Sequence, residues 1–208
     1  MMHLDPHLQT LKDHYDTLID LDNDPARDPE PLRAHMDKWD GPIFLDALAL
    51  SPKKRVLEIG VGSGRLALRV APRCKSFWGI DLSPKTIVRA AENLAAYANI
   101  TLVEGDFMSF TSGKEFDVIY SSLTFFHLPD KAGAIRKVAD LLAPGGRFVL
   151  SVDKNPADAI DFGTHRVPLY PDTPSEILAG LEKARLALKE RFETEFAHIF
   201  VACKEEKV

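Results

Sequence analysis

The sequence predicts an α/β fold with a doubly wound sheet of seven strands, mostly parallel, that finishes with a C-terminal antiparallel strand. Two observations support this class. Apolar strand-like runs alternate with helical segments through five units, which is typical of a parallel sheet with crossover helices. The last two strand-like segments, 188–192 and 196–202, are separated by only about three residues. So short a link permits only an antiparallel pair.

Residues 1–50 are predicted to form a helical extension, and residues 51–208 the main domain. Apolar side chains in the extension recur at three- and four-residue steps, as on one face of a helix: Leu8, Leu11, Tyr15 and Leu18. Tyr15 and Trp39 fit a lid over a ligand, and core packing is the alternative. The first 40 residues hold ten acids against four bases. We interpret this excess as a solvated face, with a docking surface for a cationic substrate as the alternative.

The first strand of the main domain is a short run of β-forming residues from Arg55 to Ile59, the pattern of a strand buried on both faces. Three glycines at alternate positions follow it, Gly60, Gly62 and Gly64, and then a helix-compatible segment. A strand, a glycine turn and a helix N-terminus let the backbone approach a nucleotide-like ligand closely, because no Cβ intervenes.

Two kinds of cofactor fit this turn. A Gly-x-Gly-x-x-Ala segment that begins at Gly62, with Asp81 downstream, satisfies the dinucleotide fingerprint. An acid-x-Gly-x-Gly-x-Gly segment that begins at Glu58 is also present. A pyrophosphate favours helix-end N–H groups without a nearby carboxylate. Glu58, at the end of a buried strand, needs a cation or a hydrogen-bond donor to face, so its charge favours a cationic ligand.

Four more strand-like segments follow, separated by helical segments. The strands are predicted at 77–82, 100–106, 116–122 and 147–152, and the helices at 66–71, 84–98, 130–142 and 175–189. Ser83 is placed to cap the second of these helices and Pro84 to begin it. Residues 154–173 are predicted to be irregular.

Five motifs in this order resemble those of class I S-adenosylmethionine (SAM)-dependent methyltransferases, specifically the bacterial small-molecule methyltransferase-domain group. They are Glu58 to Gly64, Gly79-Ile80-Asp81, Gly105-Asp106-Phe107, Phe116 to Ser122, and Leu142-Ala143-Pro144-Gly145-Gly146. The resemblance covers residues 52–153 well and the C-terminal hairpin loosely. It implies a Rossmann-like fold, SAM as the cofactor, and methyl transfer to a small-molecule acceptor. An NAD(P)-dependent oxidoreductase and a SAM-binding protein without catalysis are the alternatives.

The resemblance assigns the first motif to the methionine end of SAM. Gly60, Gly62 and Gly64 would let the backbone pack against the methionine and ribose parts. Glu58 would face the ammonium group, directly or through water. Glu58 also carries the charge argument given above, so the resemblance and the residue chemistry agree on a cationic ligand at this position.

The later motifs are assigned to the rest of the cofactor. Asp81 would accept both ribose hydroxyls, a bidentate role that suits a short carboxylate, and Leu82 would pack on one adenine face. Asp106 would accept the adenine amino group, and Phe107 would contribute its backbone N–H or its ring. Ser121 would offer its carbonyl to the ammonium group.

The resemblance places the acceptor beyond the fourth strand and under the loops after the fifth. His127 and Tyr120 are the catalytic candidates, with the His127 imidazole as a general base for an acceptor that keeps its proton. A capping or packing histidine is the alternative. Other residues that could contact the acceptor are Thr124, Phe125, Phe126, Asp153, His165, Arg166 and Tyr170.

Composition excludes several other classes. The formal net charge of −5 argues against a nucleic-acid partner, which would need a basic face. No apolar run is long enough to span a membrane and the N-terminus begins polar, so we expect a cytoplasmic protein without a membrane partner. Cys74 and Cys203 fall in no metal or redox motif, and we expect no metal. The oligomeric state does not follow from the sequence.

Overall fold

A computed structural model describes residues 5–163 and 166–206. Its main sheet has seven strands in the order β3-β2-β1-β4-β5-β9-β8. The strands are β1 (Arg55–Ile59), β2 (Ser76–Asp81), β3 (Ile100–Glu104), β4 (Phe116–Ser121), β5 (Leu142–Asp153), β8 (Leu186–Glu193) and β9 (Ala197–Lys204). Strands β1 to β5 pair in parallel, whereas β9 runs antiparallel to both β5 and β8. The predicted doubly wound sheet and its antiparallel ending are confirmed.

Helices cover the sheet and precede it. They are α1 (Pro6–Asp20), α2 (Glu30–Asp40), α3 (Pro42–Ala47), α4 (Ala67–Val70), α5 (Pro84–Asn93), α6 (Lys131–Leu141) and α7 (Pro174–Lys183). Two of them begin as the sequence indicates. The Ser83 hydroxyl accepts a hydrogen bond from the Thr86 N–H, and the Asp130 carboxylate accepts one from the Gly133 N–H at 2.8 Å. Both caps satisfy N–H groups that the first helical turn leaves unpaired.

The two faces of the sheet bury separate apolar clusters, because successive side chains of a strand point to opposite faces. One cluster joins Leu57 and Ile119 of the sheet to α6 and α7. The other joins Val56 and Val118 to α3, α4 and α5. This arrangement leaves the carboxyl ends of β1, β2 and β4 at one common edge.

Five local predictions differ from the structure. The helix predicted at 84–98 ends at Asn93, and the fifth strand, predicted at 147–152, begins at Leu142. The last helix ends at Lys183 instead of continuing to 189, because β8 begins at Leu186 and pairs with β9. The helix after the glycine turn has only four residues, and a 3₁₀ turn, Ala71–Arg73, continues it. The segment 154–173 contains a small hairpin, β6 (Ala159–Asp161) with β7 (Arg166–Pro168).

The acidic N-terminal segment is attached to the main domain by ion pairs and is not simply a solvated face. Asp20 pairs with Lys85 of α5, and Asp24 with Arg89 of the same helix at 3.2 Å. Asp24 is buried, with 7% of its surface exposed. The sequence interpretation missed this because the basic partners lie more than 60 residues away along the chain.

Within the part of the chain that the structure describes, no helix has the length and apolar character needed to cross a membrane.

Candidate functional site

A cavity of ≈270 Å³ lies at the carboxyl ends of β1 and β2 and beside the loop that follows β4. Strand order reverses here, since β1 has β2 on one side and β4 on the other. In open α/β sheets this is where ligands bind. Helix α1 contributes Leu8, Leu11 and Tyr15 to the cavity wall.

Gly60 and Gly62 line the cavity and both adopt positive φ, +76° and +55°. A Cβ at Gly60 would lie 2.0 Å from Oγ1 of Thr124, so only glycine lets the turn approach the loop after β4 this closely. A Cβ at Gly62 would meet no atom within 4 Å, which leaves the backbone at this position open to a ligand.

Gly64 does not line the cavity, in contrast to the role expected for it. It has φ +96°, and a Cβ there would lie 3.3 Å from the Leu94 side chain. This glycine therefore serves the backbone turn and its packing against the end of α5.

Asp81, at the end of β2, connects the glycine turn to α5 and lines the cavity together with Leu82. Its Oδ2 accepts the Gly62 N–H at 2.9 Å, and its Oδ1 accepts the Ser83 N–H at 3.0 Å. Burial raises the pKa of Asp81, and these backbone donors offset part of that rise. The donors fix the orientation of the carboxylate at the cavity wall.

Glu58 also lines the cavity, although only 3% of its surface is exposed. Its Oε2 accepts a hydrogen bond from the Tyr120 hydroxyl at 2.8 Å. Burial raises the pKa of Glu58 well above its usual range, and the phenol and the charge of Arg65 act in the opposite direction. A cation in the cavity would stabilise the ionised carboxylate.

Tyr120 is not among the residues that line the cavity, contrary to the catalytic position expected for it. The side chain is fully buried beneath α3, where its ring packs edge-on against Phe44 of that helix at a centroid distance of 6.0 Å. Its hydroxyl donates to Glu58. This geometry places Tyr120 behind the cavity wall and out of reach of an acceptor.

Asp40, Arg65 and Ser122 form a buried network that sequence reasoning missed. Both terminal nitrogens of Arg65 donate to the Asp40 carboxylate, and the Ser122 hydroxyl donates to Asp40 Oδ2 at 2.5 Å. Asp40 is fully buried, and Arg65 and Ser122 line the cavity. Arg65 directly follows Gly64, so the sequence could have indicated that it lies near the site. Its partner Asp40, at the end of α2, could be found only from the fold.

Ser121 ends β4 and is buried. Its hydroxyl donates to the Ile59 carbonyl at 2.9 Å, and the residue is not among those that line the cavity. The role expected of Ser121 belongs to its backbone carbonyl and stays a prediction. The next residue, Ser122, lines the cavity.

Asp106 and Phe107 follow β3 and line the cavity, as predicted for an adenine site. The Asp106 carboxylate caps its own 3₁₀ turn, with Oδ1 accepting the Met108 N–H and Oδ2 the Ser109 hydroxyl, both at 3.0 Å. The Phe107 side chain is buried. These contacts hold both residues in place without a ligand.

His127 lines the cavity and its Nε2 lies 2.7 Å from the Tyr15 hydroxyl. Burial lowers the pKa of His127 to about 3, and raises the pKa of the Tyr15 phenol. The imidazole is therefore neutral at physiological pH, and the phenol keeps its proton. The pair joins α1 to the loop after β4 across the mouth of the cavity.

The other residues suggested for acceptor contact are dispersed. Thr124 lines the cavity, whereas Phe125 belongs to the core beneath it. Phe126, Asp153, Arg166 and Tyr170 are not among the lining residues. His165 lies outside the described residues. Trp39 packs against Phe196 at a centroid distance of 4.6 Å and does not line the cavity, which supports the packing alternative.

The donor set fits a ligand with a cationic end and a ribose. Two carboxylates, Glu58 and Asp81, line the cavity together with the open backbone at Gly62. An acid at the position of Asp81 suits the ribose of either kind of cofactor. An ionised Glu58 beside the glycine turn would repel a pyrophosphate and attract a cation. Among the described residues no group of three or more His, Cys, Asp or Glu could hold a metal ion.

Residues 56–146 match the family described as methyltransferase domain. An uncharacterized methyltransferase of Geobacillus kaustophilus is 39% identical over 111 residues, which is 52% of this chain and 51% of that protein. The chain thus spans about half the length of the first relatives it matches.

Solved structures agree on the fold. The N-methyltransferase NodS from Bradyrhizobium japonicum, in complex with S-adenosylhomocysteine, covers 97% of this chain and 100% of its own, with a TM-score of 0.67 and 23% identity. Magnesium protoporphyrin IX methyltransferase from Synechocystis, with bound SAM, covers 99% of this chain and 100% of its own, with a TM-score of 0.75 and 19% identity. The [4+2]-cyclase SpnF covers 97% of this chain and 98% of its own, with a TM-score of 0.78 and 18% identity. Because a cyclase shares the fold, fold alone does not define the reaction.

Proposed function

We propose that this chain, whose residues 56–146 match a methyltransferase domain, is a class I SAM-dependent methyltransferase that transfers a methyl group from SAM to a small-molecule acceptor by in-line displacement. The observation that carries the proposal is the pair of carboxylates, Glu58 and Asp81, that flank the open glycine turn. SAM would supply an electrophilic methyl group on a sulfonium. The protein's part is to bind and orient the cofactor and acceptor and to exclude water.

We assign the cofactor contacts as follows. Glu58 faces the ammonium group, Asp81 accepts the ribose hydroxyls, and Gly60 and Gly62 provide the close backbone approach. Leu82, Asp106 and Phe107 enclose the adenine. Asp81 suits its task because its two backbone donors use one lone pair of each oxygen and leave the others available.

The acceptor side of the cavity is mainly apolar. Helix α1 supplies Leu8 and Leu11, and the segment after β4 supplies Leu123 and Leu128. This lining supports a small, largely apolar acceptor.

His127 contributes to this proposal as an orienting residue. An imidazole with a pKa of about 3 has little affinity for a proton at pH 7, so it is a weak general base. An acceptor that reacts through a neutral lone pair or that is already deprotonated needs no such base. Nε2 and the Tyr15 hydroxyl then hold the acceptor side of the cavity by their mutual hydrogen bond.

We also propose that residues 1–50 act as a lid over a domain formed by residues 51–208. Three α1 side chains line the cavity, and Asp16 of the same helix accepts a hydrogen bond from Ser83 at 2.6 Å. Ser83 in turn donates its backbone N–H to Asp81. Exchange of the cofactor therefore requires displacement of α1.

The first test is thermal melting with S-adenosylhomocysteine, with NADH and NADPH in parallel. A ligand at ~100 times its dissociation constant that binds only the folded state adds ~2.7 kcal/mol, which raises Tm by several degrees. We expect stabilisation by S-adenosylhomocysteine alone. Stabilisation by a nicotinamide cofactor alone would contradict the proposal.

The second test separates an enzyme from a protein that only binds SAM. Methyl-labelled SAM is incubated with the protein and a panel of small apolar amines, thiols and phenols, and label transfer is measured. We expect transfer to at least one class. Cofactor binding without any transfer across the panel would favour a binding protein or, in view of the cyclase neighbour, another reaction.

A further inference from the structure

The hydroxyl of Tyr120 meets Glu58 across two adjacent parallel strands. Residues Glu58 of β1 and Tyr120 of β4 are direct register partners, so their side chains stand side by side on one face of the sheet. The hydroxyl donates to Oε2 of Glu58 at 2.8 Å. The ring is immobilised by burial and by its contact with Phe44.

The carboxyl of Glu58 connects this buried phenol to the cavity. Glu58 lines the cavity wall, whereas Tyr120 lies behind that wall. Charged groups of three elements act on the carboxyl, namely Arg65 at the glycine turn, Asp40 at the end of α2 and Asp81 at the end of β2. Two of these are acids, so a buried carboxylate here is costly unless a donor holds it.

We propose that Tyr120 is a positioning residue for cofactor selection: its hydroxyl holds Glu58 as a fixed carboxylate directed at the ammonium group of the methionine end of the cofactor. The inference rests on the proposed function, because it deepens the role of Glu58 in that site. Tyr120 acts through Glu58 and touches neither cofactor nor acceptor.

A phenol suits this task better than an apolar side chain would. A hydrogen bond to a carboxylate is stronger when the acceptor is charged, so it favours the ionised form of Glu58 over the neutral form. Phenylalanine would fill nearly the same volume and keep the contact with Phe44 but would leave Glu58 without this donor. The hydroxyl is therefore separable from the packing of the ring.

Loss of the Tyr120 hydroxyl should affect binding of only one end of the ligand, the amino-acid end. S-adenosylhomocysteine and 5′-methylthioadenosine share adenine and ribose, but only the former carries the amino-acid group. Loss of the Tyr120 hydroxyl should weaken binding of S-adenosylhomocysteine and leave binding of 5′-methylthioadenosine unchanged.

The test is calorimetric titration of both ligands into wild type, Tyr120→Phe and the control Tyr97→Phe. Tyr97 packs against the apolar cluster beneath α3, α4 and α5 and does not line the cavity. We expect S-adenosylhomocysteine to bind Tyr120→Phe roughly tenfold more weakly, the scale of a hydrogen bond to a charged group. The affinity for 5′-methylthioadenosine should stay the same, and Tyr97→Phe should match wild type for both ligands. An equal loss for both ligands, or no loss for either, would overturn the proposal.

Two further measurements keep the inference testable. Affinity for S-adenosylhomocysteine should fall as pH decreases, because protonation of Glu58 removes its charge, and this fall should begin at a higher pH in Tyr120→Phe. In a Glu58→Gln background, Tyr120→Phe should have no additional effect on the affinity. If Tyr120→Phe does not fold, Glu58→Gln alone must show the selective loss of S-adenosylhomocysteine binding.

Failure of the proposed function gives a different result. A wild-type protein that binds neither ligand, or binds a nicotinamide cofactor in their place, overturns both proposals. A wild-type protein that binds both ligands, with a Tyr120→Phe variant indistinguishable from it, overturns only the role of Tyr120.

Discussion

Tyr15 of α1 and His127 of the loop after β4 lie 2.7 Å apart between hydroxyl and Nε2, although 112 residues separate them along the chain. Both line the cavity. Their hydrogen bond connects the N-terminal helix to the wall of the main domain, so it couples the position of α1 to access to the cavity.

Replacement of Tyr15 by phenylalanine should accelerate ligand release. If α1 closes over the cavity, the lost hydrogen bond, worth about 0.5–1.5 kcal/mol, weakens the closed form. We expect S-adenosylhomocysteine to dissociate about two- to tenfold faster, measured by stopped-flow displacement. Tyr97→Phe, on a residue outside the cavity lining, is the control and should dissociate at the wild-type rate. Equal rates in all three proteins would argue against the lid.

Replacement of His127 by glutamine should change how stability depends on pH. Burial lowers the pKa of His127 from 6.5 to about 3, so between these values the unfolded chain binds a proton that the folded protein does not. The free energy of unfolding of wild type therefore falls as pH decreases through this window, by up to about 1.4 kcal/mol per pH unit from this group. Urea unfolding from pH 7 to pH 4 should show a shallower decline for His127→Gln. Parallel curves for the two proteins would mean that the imidazole does not titrate as we infer.

Replacement of Asp81 by alanine should reduce cofactor affinity. The substitution removes the carboxylate that would accept hydrogen bonds from the ribose hydroxyls. We therefore expect binding of S-adenosylhomocysteine to weaken by more than ~1 kcal/mol, the scale of a charge-assisted hydrogen bond. Isothermal titration measures the change. Asp158→Ala removes an exposed acid whose partner is Arg166 and serves as the control. Unchanged affinity in Asp81→Ala would remove the ribose assignment.

The ion pair between Asp40 and Arg65 should contribute far more to stability than the neighbouring pair between Asp37 and Arg69. Asp40 is fully buried, whereas the side chains of Asp37 and Arg69 are 31% and 37% exposed. Asp40→Ala leaves a buried guanidinium unpaired and should cost about 3–5 kcal/mol of unfolding free energy. Asp37→Ala should cost at most about 1 kcal/mol. Denaturant unfolding of both variants measures the two losses of unfolding free energy. Similar losses for Asp40→Ala and Asp37→Ala would contradict the burial of the Asp40 carboxylate.

Alanine at Gly64 should mainly lower stability, whereas alanine at Gly62 should mainly weaken cofactor binding. Gly64→Ala places a Cβ 3.3 Å from Leu94 at φ +96°, so it should lower the unfolding free energy by about 1–3 kcal/mol. Gly62→Ala meets no protein atom and should cost less stability, but its methyl group should weaken binding of S-adenosylhomocysteine. Melting and titration of both variants test this. A larger stability loss at Gly62 than at Gly64 would contradict it.

Local sequence determined the strands and most helix starts, since these depend on short-range patterns. The parallel strands are recognisable as apolar runs, and Ser83 caps its helix as predicted. The helix predicted to begin at about Asp130 begins at Lys131, with Asp130 as its cap. The 175–189 helix was predicted too long because a strand pairing decided its end. Residues 186–188 pair with β9 in the structure, and that contact overrides helical propensity.

The candidate site was only partly predictable for the same reason. Three acids lie at or near the carboxyl ends of parallel strands: Glu58 in β1, Asp81 in β2 and Asp106 after β3. These strand ends meet at one edge of the sheet, so the convergence of the three acids at the cavity follows from the strand order. Tyr120 was placed near the acceptor because it lies at the end of β4, but its side chain is buried and does not line the cavity. Which side chains near the end of a strand face the cavity depends on the elements packed around them, and the sequence does not show this.

The sequence by itself determined a doubly wound sheet, a glycine turn open to a ligand and the acids beside it, because alternation, spacing and the absence of a Cβ are local properties. Only the tertiary structure decided that Tyr120 supports Glu58, that Asp40 pairs with Arg65 and that Tyr15 reaches His127. Each of these contacts joins residues of different elements, and a buried polar group takes its function from the partner that the fold provides.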